Sequence, residues 1–174
     1  MLAALKGLFT STESAPSEPP ALRFQKRTAL AVVLLVGLFH ILTIRSGHDW
    51  ADDFAQYVAH ARNLAEGRPY GETGYIFNPS NQGVGPATYP PVFPLMLAPV
   101  WMVFGFSLVA MKVESILFFL FFLWLFWFTL RAEIRVRYRL TLLFLVGINP
   151  LFWNLKDRVT SDIPFLMWTY ATLV

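Results

Sequence analysis

The chain has 174 residues, of which 56% are hydrophobic, 17% aromatic and only 14% charged. A soluble globular domain carries about 25% charged residues, so the composition points away from that class and towards a membrane protein. There is no cysteine, which excludes disulfides, cysteine-ligated zinc and a thiol nucleophile.

The net charge of +3 is less informative than its distribution. Residues 1–28 carry Lys6, Arg23, Lys26 and Arg27 against Glu13 and Glu18, a net of +2. Residues 46–89 carry five acids (Asp49, Asp52, Asp53, Glu66, Glu72) against Arg62 and Arg68, a net of −3. Residues 131–139, RAEIRVRYR, carry four arginines and Glu133, a net of +3. Alternation of this kind is a topology signal. No basic stripe interleaved with aromatics suggests nucleic-acid binding.

In chain order, the Ser-, Pro- and Glu-rich stretch 10–22 predicts a disordered cytoplasmic tail occupying residues 1–28. Residues 29–45 predict a first span, read as an uncleaved anchor because TIRSGH offers no small-x-small cleavage site. The basic RFQKR flank places the N-terminus in the cytoplasm and residues 46–107 outside it.

Within that external loop, residues 50–66 predict an amphipathic helix. Phe54, Tyr57, Val58, Ala61 and Leu64 lie on one face and Asp53, Gln56, His60 and Asn63 on the other, and Gly67 is its stop. Such a helix is expected to lie on the membrane surface with its apolar face in lipid. Residues 68–89 predict an irregular loop with turns at Asn78-Pro79 and Gly85-Pro86.

Residues 90–105 are apolar but hold four prolines, a poor composition for a full crossing. If they crossed, RAEIRVRYR would emerge outside, so they are expected to form a re-entrant or juxtamembrane helix. Residues 108–130, 140–155 and 163–174 predict three further spans. The fold class expected is all-α, a polytopic transmembrane bundle with an external juxtamembrane helix. On this topology Asp157 and Asp162 share a compartment with Asp49, Asp52 and Asp53.

Three stretches in this order, DDFAQYVAHARNLAEGRPY, YPPVFPLMLAPVWMVFG and SDIPF, resemble the N-terminal part of the type C glycosyltransferases. The closest group is the one that includes protein O-mannosyltransferases and lipid A aminoarabinose transferases. The resemblance runs from about Asp49 to the C-terminus and covers roughly the first third of such an enzyme. It implies transfer of a sugar, with inversion, from a polyprenyl-phosphate donor to a glycan, lipid or protein acceptor. The site would lie on the periplasmic or luminal side, and the location expected is a bacterial inner membrane. This stretch alone is expected to be inactive.

The family's acidic residue for the acceptor maps onto Asp53, with Tyr57 and Arg62 in step; the pair here is Asp52-Asp53, and either carboxylate could hold the role. A Glu-Lys that in aminoarabinose transferases precedes the proline of the next apolar segment is replaced by Tyr89-Pro90, so that phosphate contact does not carry over. Arg62, Arg158, Lys156 and Lys112 are candidates for the departing phosphate. Asp157 and Asp162 form a second cluster, a candidate for supporting the site or binding the donor phosphate, through a divalent cation in some relatives, although no ligand spacing specifies one.

Each reading has a plainer alternative. Asp52, Asp53 and Asp162 suit helix N-termini, where acids satisfy free N–H groups. His40 suits a neutral packed imidazole, and the three histidines are too scattered for a zinc motif. A polytopic transporter or a non-catalytic membrane subunit is the alternative for the whole chain.

Overall fold

A computed structural model of the chain describes residues 19–48, 53–76, 79–80 and 85–174. The tail at 1–18, Asp49, Asp52 and the Asn78 turn lie outside the described residues. The described residues form seven α-helices and a 3-10 turn at Pro86–Thr88, without strands. The helices are α1 (Pro20–Leu42), α2 (Phe54–Glu66), α3 (Val92–Phe104), α4 (Leu108–Thr129), α5 (Val136–Gly147), α6 (Pro150–Leu155) and α7 (Asp162–Ala171).

Two helices are long and apolar enough to cross a membrane, α1 and α4. At 1.5 Å per residue they reach roughly 33–35 Å, against a hydrocarbon core of about 30 Å. Helix α1 starts at Pro20 and takes in the basic flank, well before the apolar run at residue 29. Pro20 fits there because a first-turn residue needs no N–H partner. Leu108–Thr129 agrees with the expected second span.

The remaining apolar stretches are shorter. Residues 140–155 do not form one helix; they are divided between α5 and α6. Pro150 has no N–H to continue the ladder, and Asn149 Oδ1 caps α6 by accepting from the Leu151 N–H at 2.8 Å. The carbonyl of Gly147, which a continuous helix would pair with the N–H of residue 151, instead accepts from His40 Nε2 at 2.8 Å. His40 is fully buried and meets Phe119 edge-on, the packed role expected of it. Helix α7 covers only ten residues.

Helix α1 packs on α4 and α5, and α4 packs on α7. Their shared core contains Val33, Val36, Phe119, Leu123, Leu143 and Met167. The helices approach closely where side chains vanish. A Cβ on Gly147 would stand 2.6 Å from Val36 Cγ2, and one on Gly37 would stand 2.8 Å from Leu120 Cδ1.

A second core joins α2 to α3. Phe54, Tyr57, Val58 and Ala61 bury against Phe93 and Leu97, with Met111 and Val159 closing the cluster. The amphipathic reading of α2 holds, but its apolar face is covered by protein and not by lipid, because α3 supplies a facing apolar surface. The opposite face is not all solvated either. His60 and Asn63 are buried, donating to the carbonyls of Tyr70 and Glu72 and pinning the loop that follows. Gly67 ends α2 at φ +66°, where the Arg68 N–H returns to the Asn63 carbonyl at 2.8 Å.

Helices α1 and α4 run antiparallel, which sorts the charges by end. Lys26 of α1 lies over Phe128 of α4 at 6.0 Å, so the N-terminal flank and RAEIRVRYR share one end. Arg45, Lys112 and Asp157 meet at the other.

Candidate active site

The acidic end contains two structures with different chemistry. The first is a closed ionic junction. Asp157 is 4% exposed, and its Oδ2 accepts from Arg45 Nε at 2.8 Å and from Lys156 Nζ. Its Oδ1 accepts from the Arg45 backbone N–H at 3.0 Å and lies 3.4 Å from Lys112 Nζ. Lys112 and Lys156 are fully buried, and each also donates to backbone carbonyls, Lys112 to Arg45 and Gly47 and Lys156 to Thr43. Burial alone would raise the Asp157 carboxyl, but hydrogen bonds from Lys156 and from the Arg45 amide and guanidinium hold it below its ordinary value. Asp157 thus knots the end of α1 to the start of α4 and the α6–α7 turn.

A polar cavity of about 380 Å³ opens above this junction, lined by Arg45, Gly47, His48, Asn154, Asp157 and Arg158. Among the described residues, the cations of the junction and rim outnumber the one carboxylate, Asp157, so these residues favour an anion. His48 is built into the wall, its Nε2 accepting from the Val159 N–H at 3.1 Å.

The second structure is the pair of acids around Tyr57. Asp53 occupies the N-cap position of α2, yet its side chain makes no capping hydrogen bond. It accepts instead from the Tyr89 hydroxyl, at 2.8 Å to Oδ1. Asp162 opens α7 without a side-chain cap at its N-terminus; its Oδ2 accepts from Thr160 Oγ1 at 2.7 Å. The Tyr57 hydroxyl shares a 3.0 Å hydrogen bond with Ser161 Oγ. Burial raises the Tyr57 phenol above its ordinary value, the Ser161 bond opposes this, and the charges of Asp53 and Asp162 both add to the rise. Tyr89 is pushed up to about 12, by burial first and then by its bond to Asp53. Both phenols therefore remain protonated donors at neutral pH.

Tyr57, Ser161 and Asp162 form the polar rim of a largely apolar cavity of about 550 Å³, walled by Phe93 and Met96 of α3 and by Phe165 and Trp168 of α7. Arg158 lines the polar cavity and Ser161 this one, so the two openings are three residues apart along the chain.

The structure brings together Asp53, Tyr57 and Asp162, both carboxylates acting on the Tyr57 phenol, while Arg158 lines the separate polar cavity. It separates Arg62. That side chain lies nine residues along α2 from Asp53, about 13 Å of helix. It pairs with Glu66 at 3.0 Å and lies 5.8 Å from the Trp101 ring, lining neither cavity. Spacing fixed its position in the motif but not its partner on α3. Asp52 lies outside the described residues. Lys112 and Lys156 are enclosed in the junction, below the cavity. Among the described residues, no group of three or more metal-ligating side chains converges.

Arg45, Tyr89 and Ser161 were not singled out from the sequence. Tyr89 entered only as a departure from a Glu-Lys pattern; its place just before the prolines that start α3 was the available signal. Ser161 carried none. The chain matches no protein-family model, and comparison with curated proteins and with solved structures returned no significant match.

Proposed function

We propose that this chain is the N-terminal part of an integral membrane, inverting glycosyltransferase of the type C kind. It would use a polyprenyl-phosphate sugar on the side of the membrane opposite its basic end. The observation that carries the reading is the position of Asp53. Its carboxylate is withheld from helix capping, oriented by Tyr89, and stands one turn from Tyr57 at the rim of an apolar cavity.

In this reading the isoprenoid lies against Phe93, Met96, Phe165 and Trp168, and the phosphate is drawn to the cationic cavity at Arg45 and Arg158. Asp53 accepts the proton of the acceptor hydroxyl as its oxygen bonds to the anomeric carbon. The bond from that carbon to the phosphate oxygen breaks, and the polyprenyl phosphate leaves with the electron pair. Asp162 and Tyr57 hold the sugar by hydrogen bonds. Helices α1 and α4 cross the bilayer with the N-terminus and RAEIRVRYR in the cytoplasm.

The test is sugar transfer by the full-length protein in proteoliposomes, from a panel of polyprenyl-phosphate monosaccharides. Asp53→Asn is expected to reduce transfer by about 10²–10⁴-fold, the usual contribution of a positioned general base. Undiminished transfer would remove Asp53 from the mechanism. Donor binding with no transfer by the wild type would favour a transporter or a non-catalytic subunit.

A further inference from the structure

The basic end of the bundle holds a further cavity, of about 540 Å³, lined by Gln25 of α1, Arg131, Ile134 and Val136, and by Arg135, Arg137 and Arg139 at the start of α5. Arg139 decides its character. It is 4% exposed, and its Nε has no hydrogen-bond partner. Its Nη1 donates weakly to the Trp127 carbonyl at 3.4 Å, and its guanidinium stacks 3.9 Å from the Trp127 ring. A buried cation with an unused donor is costly unless an anion completes it.

The backbone contributes as well. Helix α5 has twelve residues, and its N-cap, Arg135, provides no side-chain cap for the first N–H groups. These groups and the helix dipole favour an anion at the same cavity. Arg131 and Arg135 are exposed on its rim, and Glu133 is the one acid of the turn, also exposed.

We propose that this cavity binds the phosphate of an anionic phospholipid headgroup. Guanidinium groups match phosphate through paired N–H donors. A lipid is favoured over a soluble anion because the cavity sits where the two membrane-length helices begin and end. Its surroundings are interfacial: Phe24 is 72% exposed beside Arg23 and Arg27, and half-exposed Tyr138 stacks with Arg137 at 4.6 Å. The inference rests on the membrane-spanning reading of α1 and α4 and is independent of the transfer reaction.

The test is native mass spectrometry of the full-length protein in detergent, titrated with phosphatidylglycerol or phosphatidylcholine. Phosphatidylglycerol is expected to bind in preference. Arg131→Gln and Arg135→Gln, both exposed and compatible with folding, should each weaken it about fivefold. Arg68→Gln at the opposite end should not. Equal binding of the two lipids, or insensitivity to both rim substitutions, overturns the proposal. So does complete displacement of the lipid by excess inorganic phosphate, which would identify a site for free anions.

Discussion

Tyr89 and Asp53 are 36 residues apart in sequence and joined by a 2.8 Å hydrogen bond. The bond crosses from the start of α3 to the start of α2, and it orients a carboxylate that helix capping would otherwise claim. A hydrogen bond to a charged acceptor is worth about 1.5–3 kcal/mol, so on the proposed transferase reading Tyr89→Phe is expected to slow sugar transfer by about tenfold or more. Because the phenol is pushed up to about 12, the deficit should be constant across the neutral range. A deficit that vanishes at one end of that range would place the effect elsewhere.

The Asp157 junction predicts a different phenotype. Among the described residues Asp157 is the one carboxylate paired with the two fully buried lysines, so removing it takes away that counterion. Asp157→Ala is expected to cost about 3–5 kcal/mol in denaturant-melting experiments on the purified protein. Lys112→Met in the same background should recover part of the loss, since it removes one of the orphaned charges. If the double variant is no more stable than the single one, the lysine is not the source of the cost.

The same carboxyl sets a pH dependence. It titrates below its ordinary value in the folded chain, and an unfolded aspartate titrates near ~3.9. Its stabilisation is therefore complete above that value and is lost as the pH falls through the lower folded value. Fluorescence of Trp153, whose ring lies 5.0 Å from the Arg45 guanidinium, should report loosening only under such acid conditions. The change should be absent from Asp157→Asn.

Two glycines give a paired test of packing. Gly147→Ala drives a methyl group to 2.6 Å from Val36 Cγ2, and a β-branched side chain in a helix has little freedom to move. A cost of about 1–3 kcal/mol is expected, reversed in part by Val36→Ala. Gly37→Ala meets the end of Leu120 at 2.8 Å, which can rotate away, so its cost should be smaller. The reverse order in melting experiments would contradict the helix contacts described.

The sequence displayed elements more readily than their surroundings. Period-3.6 apolar positions located α2, and hydropathy located α4, because both are local signals. Four prolines marked residues 90–105 as a short helix, and α3 covers thirteen residues. The break at Ile148–Asn149 was visible in principle in Asn149-Pro150, but the apolar run on either side masked it. What covers a face is not a local property. The apolar side of α2 reads identically whether lipid or Phe93 and Leu97 meet it. For the same reason the sequence did not show that Tyr89 partners Asp53, nor that Lys112 is buried against Asp157.

Topology can be tested directly because the chain contains no cysteine. A single cysteine at Ile134 is expected to react with an impermeant maleimide only after the cytoplasmic face is exposed. One at Gly71, an exposed position in the loop after α2, should react from the outside. Labelling of residue 134 from outside would mean that the segment containing α3 crosses the bilayer.

The clasp at the acidic end also has a temporal order. Arg45, Lys112 and Lys156 all precede Asp157 on the nascent chain. Helices α1 and α4 are long and apolar enough to cross a membrane, but the ends that meet at Arg45 and Lys112 cannot lock until the ribosome has delivered residue 157. Before then, among the described residues, Lys112 has the carbonyls of Arg45 and Gly47 to hold it. The bundle thus stays adjustable while α2, α3 and the loops between them are laid down, and it closes on the last of the four residues to be synthesised.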